Sequence, residues 1–409
     1  MRRIAITGMG CISGLGQGVA DTWRRAVAGQ GAIRPTTLPR GDGEEAGPRL
    51  SGPAAPVDAI DLAAVDARFG RRALGQLDPL ATFAVVAATE AVAQAGLFGA
   101  PALDTRTAIL LGCGSGGNAT FEAGYRRLFG ARQQKVHPQT IPTGMISAPA
   151  SQIAMLLGVH GPAMVVASAC ASSAHAIGEA MHMIRAGRVD VAITGGAEAC
   201  LTPGSWVAWA SLGAMAPDDC RPFSAGRQGL VLGEGAAILV IEAWDHALAR
   251  GAPILGELVG YGVSSDAGHI TAPDARGMAA AIRDAHRDAG LPLATPVLVS
   301  SHGTGTRLND RAESAALRAC YGDALDRGTV IATKSAHGHL IGGSGALELL
   351  IGLCALRDGV APPILNHLGR DPECDLPLAL TQQPIAHDHL VSSSFAFGGL
   401  NAVLIGRRA

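Results

Sequence analysis

The sequence predicts an α/β protein with sheets covered on both faces, built from two related halves. Two observations carry this. Short apolar or β-branched runs alternate with helix-like stretches along the whole chain, and strands buried on both faces read as such runs. The second observation is an internal echo. Residues 172–187 read SSAHAIGEAMHMIRAG and residues 344–359 read SGALELLIGLCALRDG. Both open on small residues, run as a helix and stop at a basic residue with Gly close behind. Each follows a candidate catalytic side chain, Cys170 or His339. Two halves, each offering a helix N-terminus to a shared site, explain the echo.

The strands follow in order. The opening Ile4-Ala5-Ile6-Thr7-Gly8 is too short for a signal peptide and breaks at glycine, so it reads as a strand. Residues 108–112, 163–167, 189–194, 237–242, 296–300, 330–332 and 402–405 read the same way. Residues 35–56, rich in Pro, Gly and charge, read as a surface loop.

Composition narrows the class. Among 409 residues, 48% are hydrophobic and 16% charged, which supports a large core, and the 55 glycines show no collagen-like period. A formal net charge of −2 gives no reason to expect a nucleic-acid surface. No run approaches the roughly eighteen apolar residues of a membrane span. The 8 cysteines form no CxxC pair and no metal-ligand spacing, a usage that fits reduced thiols in the cytoplasm. Lys135 and Lys334 are the only lysines; every other cation is Arg.

Four segments carry chemistry. In Val166-Ala167-Ser168-Ala169-Cys170-Ala171-Ser172-Ser173 a strand ends and a helix opens near Cys170. A thiol there feels the positive end of the helix dipole, which favours the nucleophilic thiolate. Ser300-Ser301-His302-Gly303-Thr304-Gly305-Thr306 can expose an imidazole after a strand, with Asn309, Asp310 and Glu313 close behind. Lys334-Ser335-Ala336-His337-Gly338-His339 precedes a glycine-lined helix. In a chain that otherwise writes Arg, Lys334 marks a place for a compact ammonium. His337 and His339 could ligate a metal, but no third ligand has suitable spacing, so an organic site is expected. Ser392 to Asn401 brings Gly398 and Gly399, able to hold backbone N–H groups close to a ligand, beside Phe397.

Together these segments resemble the β-ketoacyl-acyl carrier protein synthase family, most closely its type II condensing enzymes. The resemblance spans the chain and includes Thr7-Gly8-Met9-Gly10, Gly195-Gly196-Ala197-Glu198, Arg221-Pro222-Phe223 and Leu232-Gly233-Glu234-Gly235. It implies a thiolase-type duplicated α/β fold of five layers, αβαβα. The N-terminal half, 1–250, would carry the nucleophile and the C-terminal half, 251–409, the histidine pair. It implies a homodimer, or a heterodimer with a related synthase-like subunit. An acyl carrier protein is the implied partner, and no metal or cofactor is required.

Residue by residue, the resemblance makes Cys170 the acylated nucleophile and His302 and His339 the malonyl-site pair. His339 is preferred to His337 because the motif reads Lys-Ser-x-x-Gly-His. Lys334 and Glu313 become the supporting ionic residues. The N–H groups of Cys170 and Phe397 become the oxyanion hole, with Phe397 as acyl gate. Ser115, where a bulky aliphatic is usual, joins Gln139, Thr140 and Trp209 at the acyl pocket. Arg71, Arg72 and Lys135 form the carrier-docking patch. Leu400 stands where Thr is usual.

The implied reaction is decarboxylative condensation of an acyl-enzyme thioester with malonyl-acyl carrier protein, in a specialised acyl, polyene or polyketide pathway. Housekeeping fatty acid elongation is the alternative. A thiolase would need a second Cys in the C-terminal glycine-rich motif, which carries Phe397 instead. A non-condensing, chain-length-factor-like subunit would lack Cys170.

Overall fold

The structure, a computed structural model, describes residues 2–38, 50–70, 74–75, 77–100 and 103–409. Among the described residues the main sheet has eleven strands; a short one, Gly16–Gln17, only pairs with the end of the first, and the other ten are β1 (Ile4–Ser13), β2 (Thr107–Gly112), β3 (Ala163–Val166), β4 (Val191–Glu198), β5 (Gly235–Ala243), β6 (Gly256–Ser265), β7 (Leu298–Ser300), β8 (Thr329–Ile331), β9 (His389–Ala396) and β10 (Leu400–Arg407). Their order is β8-β7-β9-β10-β6-β1-β5-β4-β2-β3. From the centre outward, one side reads 1-5-4-2-3 and the other 6-10-9-7-8, which is the first order with five added to each strand. Pairing senses repeat as well. β1–β5 and β5–β4 are antiparallel, like β6–β10 and β10–β9, whereas the outer pairs on each side are parallel.

Helices complete the layers. α1 (Pro79–Gln94) and α2 (Ala148–Leu157) cover the outer face of the first half-sheet; α4 (Ala275–Ala289) and α5 (Arg307–Tyr321) lie outside the second. Between the half-sheets run α3 (Ser172–Arg185) and α6 (Ser344–Asp358), each touching strands of both. The result is the thiolase-like five-layer arrangement. α6 is buried at every residue from Ser344 to Leu356, as a helix enclosed on all sides must be. Glycine sets the spacing between outer helix and sheet. A Cβ on Gly8 or Gly10 in β1 would lie 2.1 Å from the carbonyl oxygen of Ala91 or Ala87 in α1.

The echoed segments are α3 and α6 themselves. Each is preceded by a 3-10 turn, Ala169–Ala171 or Ile341–Gly343. Each turn opens on a non-glycine residue with positive φ, 49° at Ala169 and 41° at Ile341. Such residues are uncommon, and finding them three positions before both helices strengthens the case for duplication.

Two expectations need correction. The 35–56 segment is not simply a loop. Arg34–Thr37 and Ser51–Ala55 pair with each other, and the latter with Leu232–Gly233; residues 39–49 lie outside the described ones. The Ser392-Ser393-Ser394 run is buried inside β9. Its serines gave no strand signal, and pairing with β7 and β10 on either side overrides their weak propensity. Among the described residues, no helix is long and apolar enough to cross a membrane.

Candidate active site

Cys170 sits in the 3-10 turn ahead of α3, which the end of β3 positions. Gly112 lets the turn settle: a Cβ there would fall 2.1 Å from the Ser173 nitrogen. The Cys170 sulfur lies 3.1 Å from Nε2 of His339. The imidazole rings of His302 and His339 meet edge to face, their centres 5.4 Å apart. The three side chains come from three separate segments and are all buried.

His302 follows β7 on a loop that Glu313 ties down, accepting from the N–H groups of His302 (2.7 Å) and Gly303 (2.8 Å). Asp310 accepts from the N–H groups of Phe223 and Gly305 nearby. Lys334 is fully buried and donates from Nζ to Nδ1 of His302 (3.2 Å), to the His302 carbonyl (2.6 Å) and to Glu348. An ammonium can only donate, so Nδ1 of His302 accepts and its proton resides on Nε2. The ion-pair partner of Lys334 is therefore Glu348, in α6, and not Glu313. Glu313 is occupied as a backbone acceptor under the His302 loop. His339 rests its Nδ1 on the Ser344 hydroxyl at 2.8 Å. His337, the neighbouring histidine, is buried against Thr333 and does not line the cavity.

Burial dominates the electrostatics. It drives both His302 and His339 well below the ordinary histidine range, with Lys334 adding to the shift, so both are neutral. It pushes Glu313 and Glu348 up to about 7. The Cys170 thiol is pushed up to about 12, although Lys334 and the N–H groups of Phe397 and Cys170 pull it down. The expectation of a resting thiolate is thus corrected: helix-end stabilisation is outweighed by loss of solvent.

The triad forms one end of a cavity of about 630 Å³, lined also by Trp209, Thr304, Asn309 and Phe397. Phe397 stacks on Trp209, ring centres 6.1 Å apart and planes 25° off parallel. The other pocket candidates lie elsewhere. Ser115 does not line this cavity; its hydroxyl donates to Glu198 at 2.5 Å. Gln139 is exposed and Thr140 half-buried, both off the cavity. Lys135 is exposed, and Arg71 and Arg72 lie outside the described residues.

Sequence reasoning missed the roles of Glu348, Ser344 and Glu198. Glu198, fully buried, gathers the N–H groups of Gly114 (2.8 Å), Ser115 (3.3 Å) and Gly342 (3.0 Å), joining the loop after β2 to the turn before α6. An acid placed inside an apolar helix, as in Leu347-Glu348-Leu349-Leu350, was the available signal for Glu348.

The ligand atoms of Cys170, His302 and His339 lie within 4.8 Å of one another, a spacing that could hold a metal ion. The Lys334 ammonium, hydrogen-bonded to His302, opposes a second cation there.

The duplicated fold and the buried thiol beside two neutral imidazoles define a thiolase-like acyltransferase. Comparison with known proteins specifies it further. The model for "Beta-ketoacyl synthase, N-terminal domain" matches residues 1–247, and that for "Beta-ketoacyl synthase, C-terminal domain" matches 255–367. The chain belongs to the beta-ketoacyl synthase family. It is 40% identical over 410 residues to Nodulation protein E of Rhizobium meliloti (strain 1021), covering 98% of each chain. It is 35% identical over 415 residues to 3-oxoacyl-[acyl-carrier-protein] synthase 2 of Staphylococcus aureus (strain COL), covering 100% of this chain and 98% of the relative. Among solved structures it is similar to the ishigamide ketosynthase/chain length factor, with a TM-score of 0.92, 33% identity, and coverage of 100% of this chain and 99% of that one.

Proposed function

We propose that this chain joins an acyl group held on Cys170 to a malonyl group delivered by an acyl carrier protein, releasing carbon dioxide. The observation that carries this reading is the convergence of Cys170, His302 and His339 at one end of a single cavity. In the first half-reaction the Cys170 sulfur attacks the acyl thioester; the thiol proton ends on the departing carrier thiol. The N–H groups of Cys170 and Phe397, which favour negative charge on the sulfur, are suited to hold the tetrahedral oxyanion. In the second, malonyl loses carbon dioxide and its enolate oxygen accepts from imidazole N–H groups. Nε2 of His302, fixed as a donor by Lys334, suits that task without becoming charged. The carbanion then attacks the acyl-Cys170 carbonyl, the acyl carbon–sulfur bond breaks, and the Cys170 sulfur leaves and regains a proton from solvent.

The halves 1–250 and 251–409 divide the labour, one supplying the nucleophile and the other the histidines. A carrier protein is the partner of choice because a relative is named as acting on one, and exposed Lys135 suits an acidic surface. The exposed apolar side chains Tyr125, Phe129, Ile141, Met145 and Met164 suit a second, synthase-like subunit, and Gln139 and Thr140 would reach an acyl pocket only across such an interface. Eight free, buried cysteines suit the reducing cytoplasm. A specialised acyl chain fits better than bulk elongation: the nodulation protein is the nearer of the two relatives above, and Trp209 backs the Phe397 gate.

Cys170→Ala tests the reading. Incubated with acyl- and malonyl-carrier protein, the variant should form neither acyl-enzyme nor β-ketoacyl product, while malonyl decarboxylation persists. Condensation by that variant would overturn the assignment.

A further inference from the structure

His302 and His339 face the same reacting atoms but are held differently. The Lys334 ammonium, which can only donate, fixes His302. Among the described residues no cation is hydrogen-bonded to Nδ1 of His339. Its partner is the Ser344 hydroxyl, 2.8 Å away at the first residue of α6. We infer that Ser344 is a positioning residue for the condensation: its O–H donates to Nδ1 of His339 and so keeps the proton of that ring on Nε2, facing Cys170 and the incoming malonyl group. This rests on the reading above and deepens it.

The argument is an accounting of donors. Ser344 is completely buried, and a buried hydroxyl without an acceptor is costly. Among the described residues its oxygen makes one hydrogen bond, that to Nδ1. If Nδ1 carried the proton and donated to the serine oxygen, the serine hydrogen would have no acceptor. Nε2 would then be a lone pair facing the Cys170 thiol. In the opposite arrangement the serine hydrogen is satisfied and Nε2–H points at sulfur 3.1 Å away, leaving unmatched only the thiol hydrogen. A thiol is a far weaker donor than a hydroxyl, so the arrangement that satisfies Ser344 prevails. A neutral ring can hold this assignment because burial keeps His339 from charging.

The consequence is two donors secured by unlike means. Lys334 fixes His302 through a charge. Ser344 fixes His339 through a neutral hydrogen bond, which leaves the site with one buried cation instead of two. The helix supplies the geometry. Ile341 adopts positive φ three residues before α6, and Ser344 begins that helix within hydrogen-bond reach of the His339 ring edge.

The test uses the full-length enzyme, with Ser344→Ala and Ser344→Cys. The Ala variant removes one atom from a buried site, and the Cys variant keeps a weaker donor of similar shape. Nitrogen-15 NMR of the histidine side chains should show Nε2–H for both His302 and His339 in the wild type. In Ser344→Ala an Nδ1–H population of His339 should appear while His302 is unaltered. The kcat for malonyl-carrier protein decarboxylation should fall by roughly two- to twelvefold, the span a neutral hydrogen bond represents, with KM unmoved and Ser344→Cys intermediate. An Nδ1–H tautomer of His339 in the wild type would overturn the inference. So would an unchanged kcat in Ser344→Ala. A wild-type enzyme that decarboxylates nothing would instead sink the condensation reading on which the inference stands.

Discussion

Replacing Lys334 by Met would remove a buried ammonium while keeping a chain of similar length, and two separate effects follow. The first concerns Glu348. Both partners of the pair are 1% exposed, and breaking such a pair from one side typically costs about 3–5 kcal/mol. Glu348 already sits at about 7 with the ammonium beside it, so without Lys334 it takes up a proton at neutral pH. Holding that proton after the unfolded carboxylate, near 4.3, has released it costs the variant about 1.4 kcal/mol for each pH unit above 7, where the wild type no longer carries it. The native variant then binds one more proton than the unfolded chain, so its stability rises as pH falls, by about 1.4 kcal/mol per unit, until the unfolded carboxyl also protonates near pH 4.3.

The second effect concerns His302. With no obligatory donor at Nδ1 its tautomer is released. Losing one preorganised donor to a developing oxyanion costs about 10²–10³ in kcat. Decarboxylation of malonyl-carrier protein by Lys334→Met should therefore fall by that factor, while thermal melts show the variant losing stability relative to wild type as pH rises above 7, where only the variant still holds the Glu348 proton. Decarboxylation near the wild-type rate, or a melt with no such pH response, would refute the reasoning. Lys334→Arg is the sharper chemical test. It keeps the charge but forces a larger planar group into a closed site, and overpacking of this kind costs about 1–3 kcal/mol. Near-normal turnover would mean that any cation serves.

Three further outcomes follow. Ser115→Ala removes a donor to the Glu198 carboxylate, so the melting free energy should fall by about 1.5–3 kcal/mol without altering acyl-chain preference; a changed preference at constant stability would return Ser115 to the pocket wall. Lys135→Glu should weaken carrier-protein binding in surface plasmon resonance, and the difference should shrink with salt, since exposed charges are screened over about 10 Å at 0.1 M; equal affinity at low salt would remove Lys135 from the docking face. Gly112→Ala would drive a methyl into the Ser172–Ser173 backbone, so it should give insoluble or inactive protein; a soluble variant with normal Cys170 acylation would show that the turn has slack.

What the sequence revealed, and what it hid, divides along a physical line. Cys170, His302, His339 and Lys334 stand out because each puts a reactive atom beside small residues, and small residues mark places where backbone and ligand approach. The structure gathers all four. The resemblance marks Lys334 and Glu313 as supporting ionic residues, but the acid that pairs with Lys334 projects from the middle of an apolar helix that reads as core, while Glu313 anchors the His302 loop. A sequence also cannot say which way a hydroxyl points. Ser115 reads as space added to a pocket wall, yet it turns away to Glu198. The thiolate expectation failed for a related reason: the helix end is visible in the sequence, and the desolvation that outweighs it is not. Strands fared unevenly. Continuous apolar runs such as β2 are plain, while β9 hides behind three serines that only its neighbours hold in the sheet.

The duplication is used asymmetrically, and that asymmetry accounts for the site. In both halves a strand leads into a tight turn, a residue with positive φ and a buried central helix. In the first half the turn delivers a nucleophile, Cys170. At the matching place in the second half stands Gly342, with no side chain, and its N–H is bound instead to Glu198 of the first half. The second turn can therefore lie against the first: a Cβ on Gly342 would approach within 2.4 Å of the Gly114 nitrogen. Because that turn carries no reactive group of its own, α6 is free to supply support. Ser344 and Glu348, one helical turn apart on a shared face, meet His339 and Lys334 respectively. A symmetric protein would have presented two thiols to each other. With glycine at one of the two places, there is room for two imidazoles to stand opposite the single thiol.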